Sequence, residues 1–260
     1  MPLKVLTFNI AHGAPSLVPM PFLRPPTSLR RTLEGIATLL AQEAADVVAL
    51  QEVDRQCLFS GGVDQVARIA GQAGYPHVLH GAHLRVPGLF EQGTALLSRH
   101  PLHEPEVGGF ERDRAVDKGY VVAALHWQGQ VIDVVSVHLD PFSGPRRLRQ
   151  AQRLAEALNR RHRPARLRVV LGDLNSHERH PGGMLEQLCA SARLHTHKPG
   201  GGEPTYTSAA PRERLDWVLA SPELRFTRYA RVHSRLSDHL PVVAELELEL
   251  DLAAAGQTPD

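Results

Sequence analysis

The sequence predicts an α/β protein in which mixed β-sheets are covered by helices. Apolar runs of strand length outnumber amphipathic segments of helix length, helices separate some pairs of strands, and tight turns join others. A helical crossover allows two strands to pair in parallel, whereas a hairpin pairs them antiparallel. Both kinds of connection in one chain indicate mixed sheets with helices packed against them.

The 260 residues are enough to bury a sizeable core. Because no linker-like stretch divides the chain, we predict one domain over residues 1–250. The tail over residues 251–260 has no hydrophobic pattern, and we expect it to be disordered.

Strand and helix patterns alternate in the first half of the chain. Residues 3–10 read as a strand, and the density of proline in residues 14–26 excludes helix and sheet and predicts a loop. A helix is expected from the N-cap candidates Thr27 and Ser28 to about Glu43. The further predicted elements are a strand over 47–53, a helix over 64–74, and strands over 75–84 and 93–98.

The second half opens with a predicted hairpin, because strands over 120–127 and 131–139 flank the turn Gln128-Gly129-Gln130. A helix follows from Pro145 to about Arg161, and we expect its many arginines to form a solvated outer face. The remaining predicted elements are a strand starting at 168, a helix over 183–190, and strands over 215–219, 225–232 and 242–248.

The stretch from Arg168 to His177 reads as a buried strand that ends in polar side chains. Gly172 is expected to let the backbone turn, and Asp173 and Asn175 follow two positions apart. Positions two apart in extended chain share a face, so these side chains would point together toward a hard cation or a phosphate. The alternative is an ordinary turn, which the same residue types favour.

Polar side chains follow other predicted strands in the same way. Each has an alternative reading as a cap, a turn or a satisfied core polar group. Together, several carboxylates at one edge of a sheet repel one another unless a cation lies among them. Carboxylate and amide oxygens suit magnesium or manganese and not zinc. The polar strand ends are Asn9, Glu52, His138, Asp173 with Asn175, Asp216, and Asp238 with His239.

The composition narrows the functional classes. The chain has 29 Lys and Arg against 28 Asp and Glu, a formal net charge of +1. The overall charge of the protein therefore does not indicate a nucleic-acid or membrane partner. Two cysteines exclude a disulfide framework, no apolar run approaches the roughly 20 residues of a membrane span, and no export signal opens the chain. We therefore expect a cytoplasmic protein, and a monomer.

Six short motifs occur in a fixed order: Thr-Phe-Asn-Ile, Leu-Gln-Glu-Val, Ser-Val-His-Leu, Gly-Asp-Leu-Asn, Arg-Leu-Asp-Trp and Ser-Asp-His-Leu-Pro. In this order they resemble the endonuclease/exonuclease/phosphatase superfamily, and the resemblance runs from Leu3 to about Leu248. It implies a deoxyribonuclease I-like four-layer α/β sandwich, with two mixed sheets face to face and helices outside. It also implies divalent-metal phosphoester hydrolysis in a cleft at one end.

The resemblance further implies roles for the motif residues. Glu52 would bind Mg²⁺ or Mn²⁺ together with Asn9 and Asp238. Asp173 would orient or deprotonate the attacking water, and Asn175 would donate a hydrogen bond to a phosphate oxygen, for which its amide group is suited.

Two histidines complete the implied site. His239, held by Asp216, would face the phosphorus, and His138 would lie across the cleft and donate to the phosphate or the leaving oxygen. The nuclease branch pairs the first histidine with an acidic residue, for which Glu91 and Asp117 are the nearest candidates by position.

Three functions follow from the resemblance. The first is a phosphodiesterase acting on a lipid or small-molecule phosphodiester, the second is a nuclease acting on DNA or RNA, and the third is an inactive binding scaffold. The balanced charge and the 5% of aromatic residues favour the first over a nuclease, which needs extended basic contacts and bases stacked on rings. The apolar residues of the loop 14–26 either cover the core or receive an apolar substrate or a membrane surface.

Overall fold

The computed structural model describes residues 1–15, 26–57, 62–87, 89–110, 118–163, 165–176, 182–198 and 202–249. The bounds of the strands within them are β1 Leu3–Asn9, β2 Val47–Arg55, β3 His77–Val86, β4 Phe90–Ser98, β5 Leu102–Gly109, β6 Gly119–Trp127, β7 Gln130–His138, β8 Arg166–Asp173, β9 His195–Thr196, β10 Asp216–Ala220, β11 Leu224–Arg231 and β12 Val242–Leu248. The bounds of the helices are α1 Pro26–Glu43, α2 Gln65–Ala73, α3 Gly144–Arg160 and α4 Met184–Ala192.

The described strands form two mixed sheets of six. One has the order β11-β12-β1-β2-β4-β3, and the other has the order β5-β6-β7-β8-β10-β9. The pairs β1·β2 and β7·β8 are parallel, and the other pairs among the described residues are antiparallel. The mixed sheets that the connections predicted are therefore confirmed.

Three apolar clusters bind the layers together. The central cluster draws buried side chains from both sheets, such as Val5 of β1 and Val169 of β8, so the sheets pack face to face. A second cluster packs α1 and α2 on the outer face of the first sheet, and a third packs α3 and α4 on the outer face of the other. This is the helix, sheet, sheet, helix sandwich that the resemblance implied.

Two edge strands, β5 and β9, were not predicted. β5 carries a proline and exposed polar residues, and β9 has only two residues. Edge strands bury one side at most and therefore show a weaker apolar pattern. Every other predicted strand and helix is present, with ends shifted by a few residues.

The turn expected at Gly172 is wrong, because Gly172 lies inside β8 and pairs with Trp217 of β10. A Cβ atom there would lie 1.9 Å from the backbone oxygen of Val137. Glycine is required because β7 and β8 approach closely just before they deliver His138 and Asp173 to the edge of the sheet.

Some predictions fall outside the described part of the chain. Residues 16–25 of the loop 14–26, Asp117, and the tail 251–260 belong to this group. Among the residues that are described, no helix is both long and apolar enough to cross a membrane.

Candidate active site

The carboxyl ends of the parallel strand pairs meet at one edge of the sandwich, where Asp173 lies at the centre of the polar cluster. Asn9 Nδ2 at the end of β1 donates to Asp173 Oδ2 over 2.9 Å, which ties the two sheets together. His138 Nε2 lies 3.5 Å from the same oxygen, and His239 Nε2 lies 3.7 Å from it. Four of the predicted site residues are thus brought together around one buried carboxylate oxygen.

His239 and Asp216 form a buried dyad. His239 Nδ1 lies 2.8 Å from Asp216 Oδ2, and the Thr205 hydroxyl donates to this same oxygen over 2.6 Å. Burial alone would lower the pKa of His239, but the negative charges of Asp216 and Asp173 outweigh it and raise this pKa to about 10. His239 is therefore an imidazolium at neutral pH, with Nε2 turned toward Asp173.

The surroundings of Asp173 favour the uncharged form of its carboxyl group. Burial, helped by the charge of Asp216, raises its pKa to about 7, although His239 and the hydrogen bond from Asn9 act against the shift. The backbone N–H of Asn175 donates to Asp173 Oδ1 over 2.9 Å and fixes the orientation of the carboxylate. A carboxyl group that titrates near neutral pH is well matched to accepting a proton in catalysis.

Asn175 follows β8 in the left-handed region, with φ of 47°. Asparagine adopts this conformation more readily than most residues. Its side-chain Nδ2 donates to the Leu139 carbonyl over 3.0 Å and lies 3.3 Å from His138 Nε2. The amide is therefore held beside the first histidine, on the same side of the cluster as Asp173.

The charged group nearest to His138 is a lysine, although the carboxylates of Asp173 and Glu52 also lie within 4 Å of its ring. Lys118 Nζ lies 3.1 Å from both ring nitrogens of His138 and 3.4 Å from Glu52 Oε1. The hypothesis that Glu91 pairs with His138 is wrong, because Glu91 pairs with Arg85 at 2.9 Å on the neighbouring strand. Burial and the charge of Lys118 place the pKa of His138 well below its usual value, so its ring is neutral.

Glu52 reaches the cluster through a β-bulge. The register of β2 against β4 shifts between Gln51 and Val53, and Glu52 has φ of 53°. Burial would raise the pKa of its carboxyl, but the charges of His12 and Lys118 outweigh it and hold this pKa far below the usual range. The bulge turns the side chain of Glu52 out of the strand alternation and into the cleft.

The proposed metal ligands Asn9, Glu52 and Asp238 are not joined to one another by a hydrogen bond or ion pair in the described part of the chain. Asn9 Oδ1 accepts from the backbone N–H of Ala11 at 3.0 Å, and its Nδ2 is turned to Asp173. Asp238 Oδ1 accepts from the Ser237 hydroxyl at 3.3 Å. The donor chemistry nevertheless fits a divalent ion at Glu52, because its carboxylate offers hard oxygen ligands, lines the cleft and is one quarter exposed.

Comparison with known proteins decides the family. The model of the Endonuclease/Exonuclease/phosphatase family matches residues 6–239. The chain belongs to this family. Its members are hydrolases, and the polar cluster described above lies where the matched motifs meet.

Solved structures share the fold across nearly the whole chain. An endonuclease/exonuclease/phosphatase from Beutenbergia cavernae DSM 12333 is 24% identical with a TM-score of 0.78, and the match covers 95% of this chain and 72% of that one. A mannosyl-6-phosphatase of Bacteroides thetaiotaomicron VPI-5482 is 15% identical with a TM-score of 0.70, covering 95% and 100%. Sphingomyelinase C from Streptomyces griseocarneus is 21% identical with a TM-score of 0.65, also covering 95% and 100%.

The structural similarity shows the deoxyribonuclease I-like fold of the Endonuclease/Exonuclease/phosphatase family, and identities below 25% show nothing finer. No curated protein matches the sequence.

In this family member a buried group of acidic and histidine side chains could also accept a cation. One ligand atom each of Asp173, Asp216 and His239 lies within 4.8 Å of the others. Asp216 Oδ1 is buried and has no hydrogen-bond partner among the described residues. Its other oxygen is already shared by His239 and Thr205, so the group acts as a hydrogen-bonded triad before any ion is bound.

Besides Lys118, sequence reasoning missed three functional candidates of this Endonuclease/Exonuclease/phosphatase protein, which are His12, Asp54 and Tyr206. His12 Nδ1 lies 2.7 Å from Asp54 Oδ1 in the cleft wall, and the ring of Tyr206 lies 4.9 Å from that of His239. Asp54 lies two positions after Glu52, on the same face of extended chain, and this spacing would have identified it from the sequence. Tyr206 follows a glycine-rich loop that carries no hydrophobic pattern.

Proposed function

We propose that this protein is a divalent-metal-dependent phosphodiesterase that hydrolyses a lipid or small-molecule phosphodiester with Mg²⁺ or Mn²⁺. The observation that carries the proposal is the buried Asp173, a carboxyl whose pKa of about 7 suits a general base and which faces the imidazolium of His239 at 3.7 Å. A base and a cation held together beside His138, which lines a cleft, meet the requirements of water attack on a phosphate.

Each side chain has a defined task in this proposal. Asp173 takes the proton of the attacking water, and His239, oriented by Asp216, places positive charge against the phosphate oxygens. Asn175 and the neutral His138 donate hydrogen bonds to the phosphate or the leaving oxygen. A divalent ion at Glu52 supplies further positive charge to the phosphate oxygens when it is bound.

The cleft favours a small or lipid-like substrate. Its volume is about 300 Å³, and it is lined by His12, Glu52, Lys118, His138 and Phe142. Phe142 at its rim is 86% exposed, an unusual position for a large apolar side chain and a natural contact for an apolar substituent. Two structural neighbours bear the names of phosphoesterases that act on small or lipid phosphoesters, a sphingomyelinase and a mannosyl-6-phosphatase.

A nuclease is the second candidate, because a basic groove lies beside the loop that carries Asp238 and His239. The groove is lined by Arg231, His233 and Arg235 together with Ser208, whose N–H donates to the Asp238 carbonyl over 2.6 Å. Such a groove could hold the backbone of a nucleic acid. We also propose that residues 14–26 contact a membrane surface and that the protein is a monomer.

The substrate is tested by assaying the purified protein with Mg²⁺ and with Mn²⁺ against a chromogenic phosphodiester, the matching phosphomonoester, phospholipid vesicles, plasmid DNA and short RNA. We expect the diester and the phospholipids to be cleaved faster than the nucleic acids. Faster cleavage of DNA or RNA would replace this proposal by the nuclease, and no cleavage by a folded protein would favour a scaffold. The Asp173→Asn protein controls for contaminating hydrolases.

The dyad of His239 and Asp216 gives a first mutational prediction. His239→Ala is expected to lower kcat by about 10²- to 10³-fold, because a charged group facing the phosphate is lost, with a smaller effect on KM. Asp216→Asn should give a weaker loss of the same kind. The double variant is expected to be little worse than His239→Ala alone, since Asp216 acts through His239. Fully additive losses would contradict the dyad.

The pH dependence gives a second prediction. Asp173 must lose its proton to act as a base, and His239 must keep its proton to act as a cation. Activity should therefore rise with pH through about 7 and fall as pH passes about 10. Asp216→Asn removes the charge that raises the pKa of His239, so the alkaline limb should move to lower pH. An unmoved alkaline limb would assign that limb to another group.

A further inference from the structure

His12 lies on a turn that side chains of neighbouring elements hold in place. Ala11 and His12 both have positive φ, at 45° and 56°, in the short 3-10 turn after β1. Asn9 Oδ1 accepts from the N–H of Ala11, and the fully buried Gln65 donates from Nε2 to the His12 carbonyl over 3.0 Å. Positive φ at two successive residues other than glycine is costly, so the turn is held by its surroundings.

Gln65 also fixes the residue that orients the imidazole. Its Oε1 accepts from the backbone N–H of Asp54 at 3.1 Å, so one buried amide joins the turn of His12 to the strand of Asp54. Asp54 Oδ1 in turn lies 2.7 Å from His12 Nδ1, and its side chain is almost completely buried. His12 therefore cannot rotate freely, and its Nε2 is directed into the cleft.

The two oxygens of Glu52 have different neighbours. Oε1 lies 3.4 Å from Lys118 and 3.9 Å from His138, whereas Oε2 lies 3.5 Å from His12 Nε2. Two ligand atoms bound at about 2.1 Å to one ion are roughly 3.0 to 3.5 Å apart, depending on the angle between them. The pair of His12 Nε2 and Glu52 Oε2 is therefore already spaced to share an ion, while Lys118 neutralises the other oxygen.

We propose that His12 Nε2 and Glu52 Oε2 bind one divalent ion together, that the ion displaces the proton on Nε2 to the solvent, and that Asp54 orients His12 for this task. A histidine that binds a metal usually donates its second ring N–H to a carboxylate, which is the relation between His12 and Asp54. An imidazole ligand favours Mn²⁺ and later transition ions over Mg²⁺. The inference rests on the proposed function for the presence of an ion, and it assigns a nitrogen ligand outside the predicted set Asn9, Glu52 and Asp238.

The test is the electron paramagnetic resonance of bound Mn²⁺ in the full-length protein, because coupling to ¹⁴N reports an imidazole ligand without reference to activity. We expect a nitrogen signal in the wild type and its loss in His12→Asn, whose new side chain tolerates positive φ. His138→Asn is the matched control, since this imidazole lies near the other oxygen of Glu52, and it should keep the signal. His12→Asn and Asp54→Asn should each weaken Mn²⁺ binding at least about tenfold in a calorimetric titration.

The outcomes separate the alternatives. Mn²⁺ bound with no nitrogen signal, or a signal lost in His138→Asn and kept in His12→Asn, would overturn the assignment, and His12 would then be an ion-pair partner of Glu52 only. Thermal unfolding of each variant shows that it is folded before its binding is compared. Hydrolysis of the chromogenic diester by the same preparations judges the proposed function separately, because an enzyme with oxygen ligands alone would still be active.

Discussion

Replacing Asp173 by Asn is expected to lower kcat by about 10²- to 10⁴-fold, the range for removing a general base. The amide has nearly the same shape, but it cannot accept a proton at neutral pH, and its single oxygen can accept from only one of Asn9 Nδ2 and the N–H of Asn175. Because the loss falls on the transition state, KM should change much less than kcat. The measurement is steady-state kinetics on the chromogenic phosphodiester at saturating Mg²⁺ and again at saturating Mn²⁺.

Asp46→Asn is a matched control for this change. Asp46 belongs to the other sheet and lies directly before β2, at the end of that strand away from Glu52, where its Oδ2 accepts from the N–H of Lys4 over 2.9 Å. We expect it to leave kcat within about twofold of the wild type, since the partners of Asp46, the N–H of Lys4 and the ring of His100, lie outside the candidate site. An Asp173→Asn protein that is folded and retains wild-type turnover would exclude Asp173 as the base.

The strand ends were predictable because strand pattern and strand direction are local properties. Asn9, His138 and Asp173 each close an apolar run, and the parallel pairing of β1 with β2 and of β7 with β8 brings such ends to one edge. The family motifs added the order in which these ends follow one another. The structure therefore brings these strand ends together as the sequence indicated, and their roles in catalysis stay a prediction.

The irregular backbone of the site was not predicted, although Glu52 itself was among the predicted site residues. Glu52 enters the cleft at a bulge, and His12 enters it at a turn with positive φ, so neither side chain follows the alternation of its strand. Lys118 precedes β6 and meets His138 only through the pairing of Gly119 with that residue. A sequence shows no sign of such contacts until the register of the sheets is known.

The ion pairs made by arginines of α3 were also not predicted from the sequence. The expected solvated face is wrong at Arg161, whose Nη2 lies 3.1 Å from the fully buried Asp133, and at Arg146, which pairs with Asp140 at 2.6 Å. Helical periodicity separates apolar from polar positions, but it does not show which polar side chains lie against a charged residue of the neighbouring sheet.

Replacing Glu52 by Gln is expected to remove divalent-ion-dependent hydrolysis, by about 10³-fold or more, because a bound ion is worth several kcal/mol of transition-state stabilisation. The amide is nearly isosteric but uncharged, so Lys118 and His12 lose their shared counter-charge and repel an incoming cation. Glu91→Gln is the matched control, because this carboxylate is bound to Arg85 on the neighbouring strand, and it should keep full turnover. Activity is measured with added ion and with chelator, alongside thermal unfolding. Wild-type hydrolysis that survives chelation, or a folded Glu52→Gln protein with full ion-dependent turnover, would show that Glu52 does not hold a catalytic ion.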